Sequence, residues 1–182
     1  KNDEHSLANN YVRCVFESSK KECFVGTLSG LQHYSADADR FTDIPLILQD
    51  GIIVEPNVAA IEELSNGDLL VGTAGQGLFK ITNTHKGLVG ISMEKRIPIP
   101  IVNALHEDRN GNLWISAGEN GIFRIDRNQQ LHCYQKGANE SEYTISSICE
   151  TPDKQIYIGS LGKGLLKYNP TLDLFEPIIY AN

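Results

Sequence analysis

The chain has 182 residues, 41% of them hydrophobic and 21% charged, an ordinary globular composition with ample material for a core. Its formal net charge is −7 and its Lys and Arg residues form no cluster, which argues against a nucleic-acid partner. No apolar run approaches the roughly 18 residues of a membrane helix and the N-terminus is polar, so this segment is expected to make no membrane contact, and any export signal or anchor is expected to lie outside it.

Four segments follow one another on a single plan. In the first, Val12, Val15 and Glu17 mark a strand that ends in an acid. A polar connector leads to a second strand, Phe24-Val25-Gly26-Thr27, and further strands are expected at 31–34 and 41–44. The second segment repeats this with Val58, Ile61 and Glu63, the connector Ser65-Asn66-Gly67-Asp68, the tetrad Leu70-Val71-Gly72-Thr73, and strands at 78–81 and 90–94. Asn-Gly in that connector supplies the positive φ that a tight hairpin turn requires. The third has Val102, Leu105 and Glu107, then Arg109-Asn110-Gly111-Asn112, then Trp114-Ile115-Ser116-Ala117, with strands at 122–126 and 131–134. The fourth has Ile145, Ile148 and Glu150, the tetrad Tyr157-Ile158-Gly159-Ser160, and strands at 165–169 and 174–180.

The third tetrad position falls at 26, 72, 116 and 159, in steps of 46, 44 and 43 residues. A period of that size, with four antiparallel strands in each unit, is the signature of propeller blades. The expected fold is all-β: four four-stranded antiparallel blades of a partial or fragmentary β-propeller, near 10–50, 51–97, 98–139 and 140–182, in one segment. Along the first strand of each blade the middle inward position is small, namely Cys14, Ala60, Ala104 and Ser147. Small residues suit inner strands that converge on a narrow axis. The opposite face carries Val15, Ile61, Leu105 and Ile148, as sheets buried on both sides require.

The repeat absorbs most small motifs. Gly159-Ser160-Leu161-Gly162-Lys163-Gly164 resembles part of a phosphate-binding loop, but a strand follows it and no Ser or Thr follows Lys163. Asp108-Arg109-Asn110-Gly111-Asn112 alternates oxygen ligands as calcium loops do, yet it lacks the downstream Glu, and the equivalent connectors at 18–22 and 152–155 do not share its ligands, so a turn is expected. The five histidines are scattered over different repeats, no nucleophile elbow is present, and Trp114 is expected in the core. Neither a cofactor nor a metal is expected. Of the cysteines, Cys14 and Cys149 are expected as buried thiols, and a Cys14–Cys23 disulfide across one hairpin is left open.

The pattern resembles the two-component regulator propeller repeat, roughly V-x-x-I-x-x-D…G-x-L-W-I-G-T…G-G-L-x-R-Y. Residues 102–126 match best, with Asp108, Gly111, Leu113-Trp114-Ile115 and Gly121 to Asp126, and 58–81 is close behind. The first copy departs from the pattern, lacking the turn glycine and having a shortened Ser29-Gly30 loop. The resemblance implies the periplasmic sensor region of a hybrid two-component histidine kinase, non-catalytic in this segment. It implies as partners an oligosaccharide ligand and the remaining blades of the full-length sensor. It also implies a link to polysaccharide-utilisation genes. Four blades fall short of the seven of such a propeller, so self-association through uncovered terminal blades is expected.

Up-and-down topology puts the loop before strand one and the loop between strands two and three on one face. That face collects 8–11, 27–30, 45–57, 73–77, 97–102, 116–121, 139–144 and 160–164, where a rigid scaffold can present binding residues. Sugar recognition favours aromatic platforms beside planar hydrogen-bonding groups. On that basis the candidate ligand-binding residues are Tyr11, Arg13, Asn57, Gln76, Asn103, Glu119, Asn120 and Tyr143. The long 45–57 segment is expected to cover the rim. Two other classes stay open: a protein-interaction scaffold, and a propeller lyase or glycosidase, which would need two carboxylates set in a cleft.

Overall fold

Each tetrad forms the second strand of an antiparallel blade in the computed structural model, which describes residues 5–134 and 144–178. The chain divides into two compact units, Lys1–Val102 and Asn103–Asn182, each carrying two blades. In unit 1 the first blade is β1 (Val12–Glu17), β2 (Cys23–Thr27), β3 (Gly30–Ser35) and β4 (Arg40–Ile44), paired in that order. A short hairpin follows, β5 (Leu46–Ile47) and β6 (Ile53–Val54). The second blade is β7 (Val58–Glu63), β8 (Leu69–Thr73), β9 (Leu78–Thr84) and β10 (Gly87–Ser92). Unit 2 holds β11 (Ala104–Glu107), β12 (Leu113–Ser116), β13 (Ile122–Ile125) and β14 (Leu131–Tyr134), then β15 (Thr144–Glu150), β16 (Ile156–Leu161), β17 (Gly164–Asn169) and β18 (Leu174–Pro177). The only helical element among the described residues is a 3-10 turn at Gly118–Asn120.

The tetrad positions have separable jobs. Its third residue lies opposite the small inner-strand residue, in the pairs Cys14–Gly26, Ala60–Gly72, Ala104–Ser116 and Ser147–Gly159. The space so left takes the residue that opens the following inner strand. A Cβ on Gly26 would stand 2.5 Å from Val58 Cγ1, and a Cβ on Gly72 would overlap Val102. In the third blade Ser116 instead donates its hydroxyl to the Ile145 carbonyl at 2.9 Å. The fourth residue closes the loop to the third strand: the hydroxyls of Thr27, Thr73 and Ser160 donate to the carbonyls of Gly30, Gly77 and Gly164 at 3.2, 2.8 and 3.0 Å. Ala117 has no hydroxyl, and there the 3-10 turn takes its place.

All four connectors between first and second strands close in the same way, with the fourth residue in the positive-φ region. Gly67 (83°) and Gly111 (74°) fill it as Asn-Gly predicts, while Lys21 (65°) and Lys154 (63°) occupy it in the other two. In the third connector the Asp108 carboxylate accepts from Asn110 N, Asn112 N and Trp114 Nε1 at 2.9, 2.9 and 2.8 Å. Its oxygens are filled by the turn itself, so the alternating oxygens are hairpin chemistry.

The acid that ends an inner strand holds the preceding connector. Glu63 accepts from Ser19 N at 2.6 Å and from Ser19 Oγ at 2.7 Å. Glu150 accepts from Arg109 N at 3.1 and 3.3 Å, and Arg109 Nη1 reaches the carbonyls of Thr151 and Pro152 at 3.0 and 2.8 Å. The amide and then the hydroxyl of Ser19 favour the ionised form of Glu63 and lower its pKa. A carboxylate lowered in the fold stabilises fully above its ordinary value of about 4.3 and loses that contribution as pH falls through the folded value. Glu63→Gln is therefore expected to lower the urea midpoint at neutral pH, with the gap to wild type closing in acid. An unchanged gap at low pH would refute the charge dependence.

Each unit has its own core. Phe24, Leu31, Ile44, Leu46, Val58, Val71 and Phe79 pack together in unit 1, with Cys14 and Phe16 against them. Trp114, Ile122, Ile145, Ile158, Leu166 and Tyr168 do so in unit 2, which places Trp114 in the core as expected. Three expectations change. The 45–57 segment carries a hairpin that extends the outer edge of the second blade: β5 pairs parallel with β10, and Leu46 fills the space left by Gly90. The outer strand of that blade begins at Gly87 rather than at 90, because Thr84 Oγ1 donates to the Gly87 carbonyl and tightens the turn. Cys149 is exposed, since its side of β15 is uncovered, while burial pushes the Cys14 thiol up to about 11. All four cysteines are free, and Cys14 lies opposite Gly26 rather than Cys23.

Candidate functional site

The loop face expected from topology forms in unit 1 through backbone hydrogen bonds between the two kinds of loop. Leu28 N donates to the Tyr11 carbonyl at 3.1 Å and Gly30 N to the Pro56 carbonyl at 2.9 Å. Ala74 N donates to the Asn57 carbonyl at 2.9 Å, and Gly75 N and Gly77 N to the Pro100 carbonyl at 3.0 and 2.7 Å. In unit 2 the same relation appears as Asn103 N on the Ser116 carbonyl at 3.0 Å.

Two clefts open on this face of unit 1. The first, of about 370 Å³, is floored by Ile97 and Ile99 and edged by Pro98 and Pro100, with Gln76 and Glu94 beside them. The alternation in Ile97-Pro98-Ile99-Pro100 sets this up: both isoleucines are buried and both prolines are exposed. Gln76 is held by its own backbone, whose amide donates to Thr73 Oγ1 at 3.1 Å, while its exposed carboxamide has no partner among the described residues. Glu94 is fixed likewise, its amide on Ser92 Oγ at 3.2 Å. The second cleft, of about 420 Å³, lies where Ser29, Pro45, Ile53 and Val54 meet Asp43 and Glu55. Asp43 is partly occupied there, since its Oδ1 accepts from Gln32 Nε2 at 2.7 Å.

Of the residues nominated from sequence, Gln76 lines the first cleft. Tyr11, Arg13 and Asn57 belong to unit 1 but line neither cleft. Tyr11 is exposed; Arg13 is exposed at the bulge of β1 between Val12 and Cys14; Asn57 contributes its carbonyl to the scaffold, and its side-chain Oδ1 is buried without a hydrogen-bond partner. In unit 2, Asn103 is half-buried, and Glu119 and Asn120 stand exposed on the 3-10 turn. Tyr143 lies outside the described residues. Glu55 and the two prolines were not nominated, although 45–57 and 97–102 were assigned to this face, and Asp43 and Glu94 lie outside the segments assigned to it. The signal that could have found the prolines is the run Ile-Pro-Ile-Pro, in which strict alternation forces one residue type outward.

Among the described residues no group of three or more His, Cys, Asp or Glu could hold a metal ion. The acid–histidine contact in unit 2, His132 Nε2 to Asp126 at 3.0 Å, lowers the Asp126 pKa and braces the β13–β14 turn, where Asp126 also accepts from the amides of Asn128 and Gln130, each at 2.9 Å.

These features define an all-β chain of propeller blades with loop-lined clefts. The sequence profile of the two component regulator propeller family matches residues 97–119, the stretch holding the third inner strand and tetrad. An extracellular domain assigned to a one-component system of B. thetaiotaomicron is 16% identical, with a TM-score of 0.79 over 100% of this chain and 26% of that one. Virginiamycin B lyase from Staphylococcus aureus is 15% identical, with a TM-score of 0.67 over 94% of this chain and 57% of that one. PorZ, a surface component of the type-IX secretion system of Porphyromonas gingivalis, is 12% identical, with a TM-score of 0.65 over 95% of this chain and 28% of that one. At such identities the likeness establishes the fold alone, and these three proteins, a one-component system domain, a lyase and a secretion-system component, carry it in different roles. The chain spans about a quarter of the first structure's length. No curated protein matches it. Among the described residues no helix is long and apolar enough to cross a membrane.

Proposed function

We propose that this chain is a non-catalytic part of the periplasmic ligand-sensing propeller of a hybrid two-component sensor, and that its ligand is an oligosaccharide. The observation that carries the reading is the first cleft. Pro98 and Pro100 offer flat apolar surface for the C–H face of a sugar ring, and Gln76 and Glu94 offer planar acceptors and donors for its hydroxyls. The repeat match at 97–119 falls on the same segment and supports the sensor class. Signal would pass from the bound propeller to a kinase and on to transcription of polysaccharide-utilisation genes.

A thermal-shift and calorimetric panel of oligosaccharides tests this. One family of glycans is expected to raise the melting temperature, and Gln76→Ala or Glu94→Ala to weaken its binding about tenfold, the loss of one net hydrogen bond. Absence of any glycan response, or a response untouched by both substitutions, overturns the proposal. Turnover of a glycan would return the chain to the enzyme class.

A further inference from the structure

We infer, resting on the oligosaccharide function proposed for the first cleft, that Glu94 makes this cleft selective for uncharged glycans and closes it to those carrying carboxylate or sulfate groups. Glu94 is the only ionisable side chain lining the cleft, where the other residues are Gln76, glycines and apolar side chains. Its carboxylate has no partner among the described residues. Its backbone, by contrast, is held from the β5–β6 hairpin: Glu94 N donates to Oγ of the buried Ser92 at 3.2 Å, and the Ser92 carbonyl accepts from Gln49 Nε2 at 2.5 Å. Lys95 and Arg96 follow it in the turn, but neither lines the cleft.

The chemistry of that one group decides the ligand. A carboxylate accepts hydrogen bonds and donates none, so the edge of the ligand that meets it must donate. The hydroxyls of an uncharged sugar do this, and two neighbouring hydroxyls can meet both oxygens together. A uronate or sulfate presents acceptor oxygens and a second negative charge instead. It leaves Glu94 without a donor and adds like-charge repulsion that no cation in the cleft lining offsets. The stacking wall is also fixed, so a ring cannot shift far to spare its charge. Pro98 sits at the centre of a three-residue turn closed by Ile99 N on the Ile97 carbonyl at 2.9 Å, and the Pro100 carbonyl is held by Gly75 N and Gly77 N.

The rest of this face of unit 1 acts in the same direction. Asp43 and Glu55 are the only ionisable side chains lining the second cleft, so both openings carry negative charge and neither carries positive. The net charge of −7 adds a weaker repulsion of anions at long range.

Calorimetric titration with matched pairs reads the selection: gluco-, manno- and galacto-oligosaccharides, each beside its oligouronate, which differs by a carboxylate in place of the hydroxymethyl group. At least one neutral member is expected to bind, and its uronate about tenfold more weakly or worse, the effect of one close like-charge contact. Glu94→Gln keeps an acceptor and removes the charge. It is expected to leave neutral binding within about threefold of wild type and to bring the uronate close to its neutral partner. Glu94→Lys is expected to reverse the order, with the uronate bound more tightly. Raising salt on the wild type is expected to narrow the gap, and serves alone should a variant lose its wild-type circular dichroism. A uronate bound by wild type as tightly as its neutral partner, a preference unmoved by both substitutions, or a gap untouched by salt overturns the selectivity and leaves the oligosaccharide function standing. Binding by no member of any pair overturns that function, and the selectivity with it.

Discussion

Trp114→Ala is expected to lower the stability of unit 2 by about 3–5 kcal/mol, the range for truncating a large buried aromatic. Trp114 is fully buried and its ring lies 4.8 Å from Tyr168, 5.7 Å from Phe175 and 5.8 Å from Tyr134. The Arg124 guanidinium stands 5.4 Å from the indole and 5.6 Å from each tyrosine ring, and its Nη1 pairs with Asp173 Oδ1 at 3.4 Å. The polar end matters separately: the indole N–H fills one oxygen of Asp108, which is itself buried. Trp114→Phe keeps most of the apolar contact and removes that donor, so its cost is expected nearer 1–3 kcal/mol. Urea unfolding followed by far-ultraviolet circular dichroism separates the two variants, because Trp114 is the only tryptophan and fluorescence is lost in both. If Trp114→Ala costs less than about 1 kcal/mol, this ring does not organise the unit.

The same residues show what could be read from sequence and what could not. Trp114 and the tetrads were legible because strand pairing repeats every 43 to 46 residues and each copy corroborates the others. Glu63 and Glu150 were legible as recurring acids but not as clasps, since their partners lie about one repeat away in sequence and become neighbours only when blades stack. Strands β5 and β6 were missed because two residues each carry no periodicity; the parallel pairing to β10 depends on Gly90 leaving room for Leu46. The face that carries the clefts followed from topology, whereas the cleft residues did not. Glu94, Pro98 and Pro100 sit in a segment whose path is set by local turns such as Ile97 N on the Met93 carbonyl at 2.8 Å, and a repeat pattern is silent where the copies differ.

Gly72→Ala is expected to destabilise unit 1 by about 1–3 kcal/mol, the cost of overpacking a close-packed interior. Gly72 is not among the positive-φ glycines, so an alanine meets no backbone strain and any loss is steric. The obstacle is Val102, fully buried, whose side chain and carbonyl occupy the space that a methyl would enter and whose amide is fixed on the Thr73 carbonyl at 2.8 Å. Val102→Ala alone should cost roughly 2 kcal/mol, from two lost methyl groups at about 0.8 kcal/mol each plus a cavity term. The pair decides the matter. If the tetrad glycine exists to receive that valine, then G72A/V102A is less destabilised than the sum of the singles, with a coupling of about 0.5–3 kcal/mol. Strict additivity in urea unfolding would mean that the glycine is kept for another reason. Gly26 is the contrasting case, because an added Cβ there would stand 2.5 Å from both Val58 Cγ1 and Cys14 Sγ, so trimming Val58 alone should recover less of the loss than trimming Val102 does at Gly72. Ser116 marks the limit of the rule: a side chain is tolerated at this position where its hydroxyl finds the Ile145 carbonyl, and at Gly72 the Val102 carbonyl already lies 3.1 Å from the added Cβ, so Gly72→Ser should be better accepted than Gly72→Ala only if the Val102 side chain moves aside.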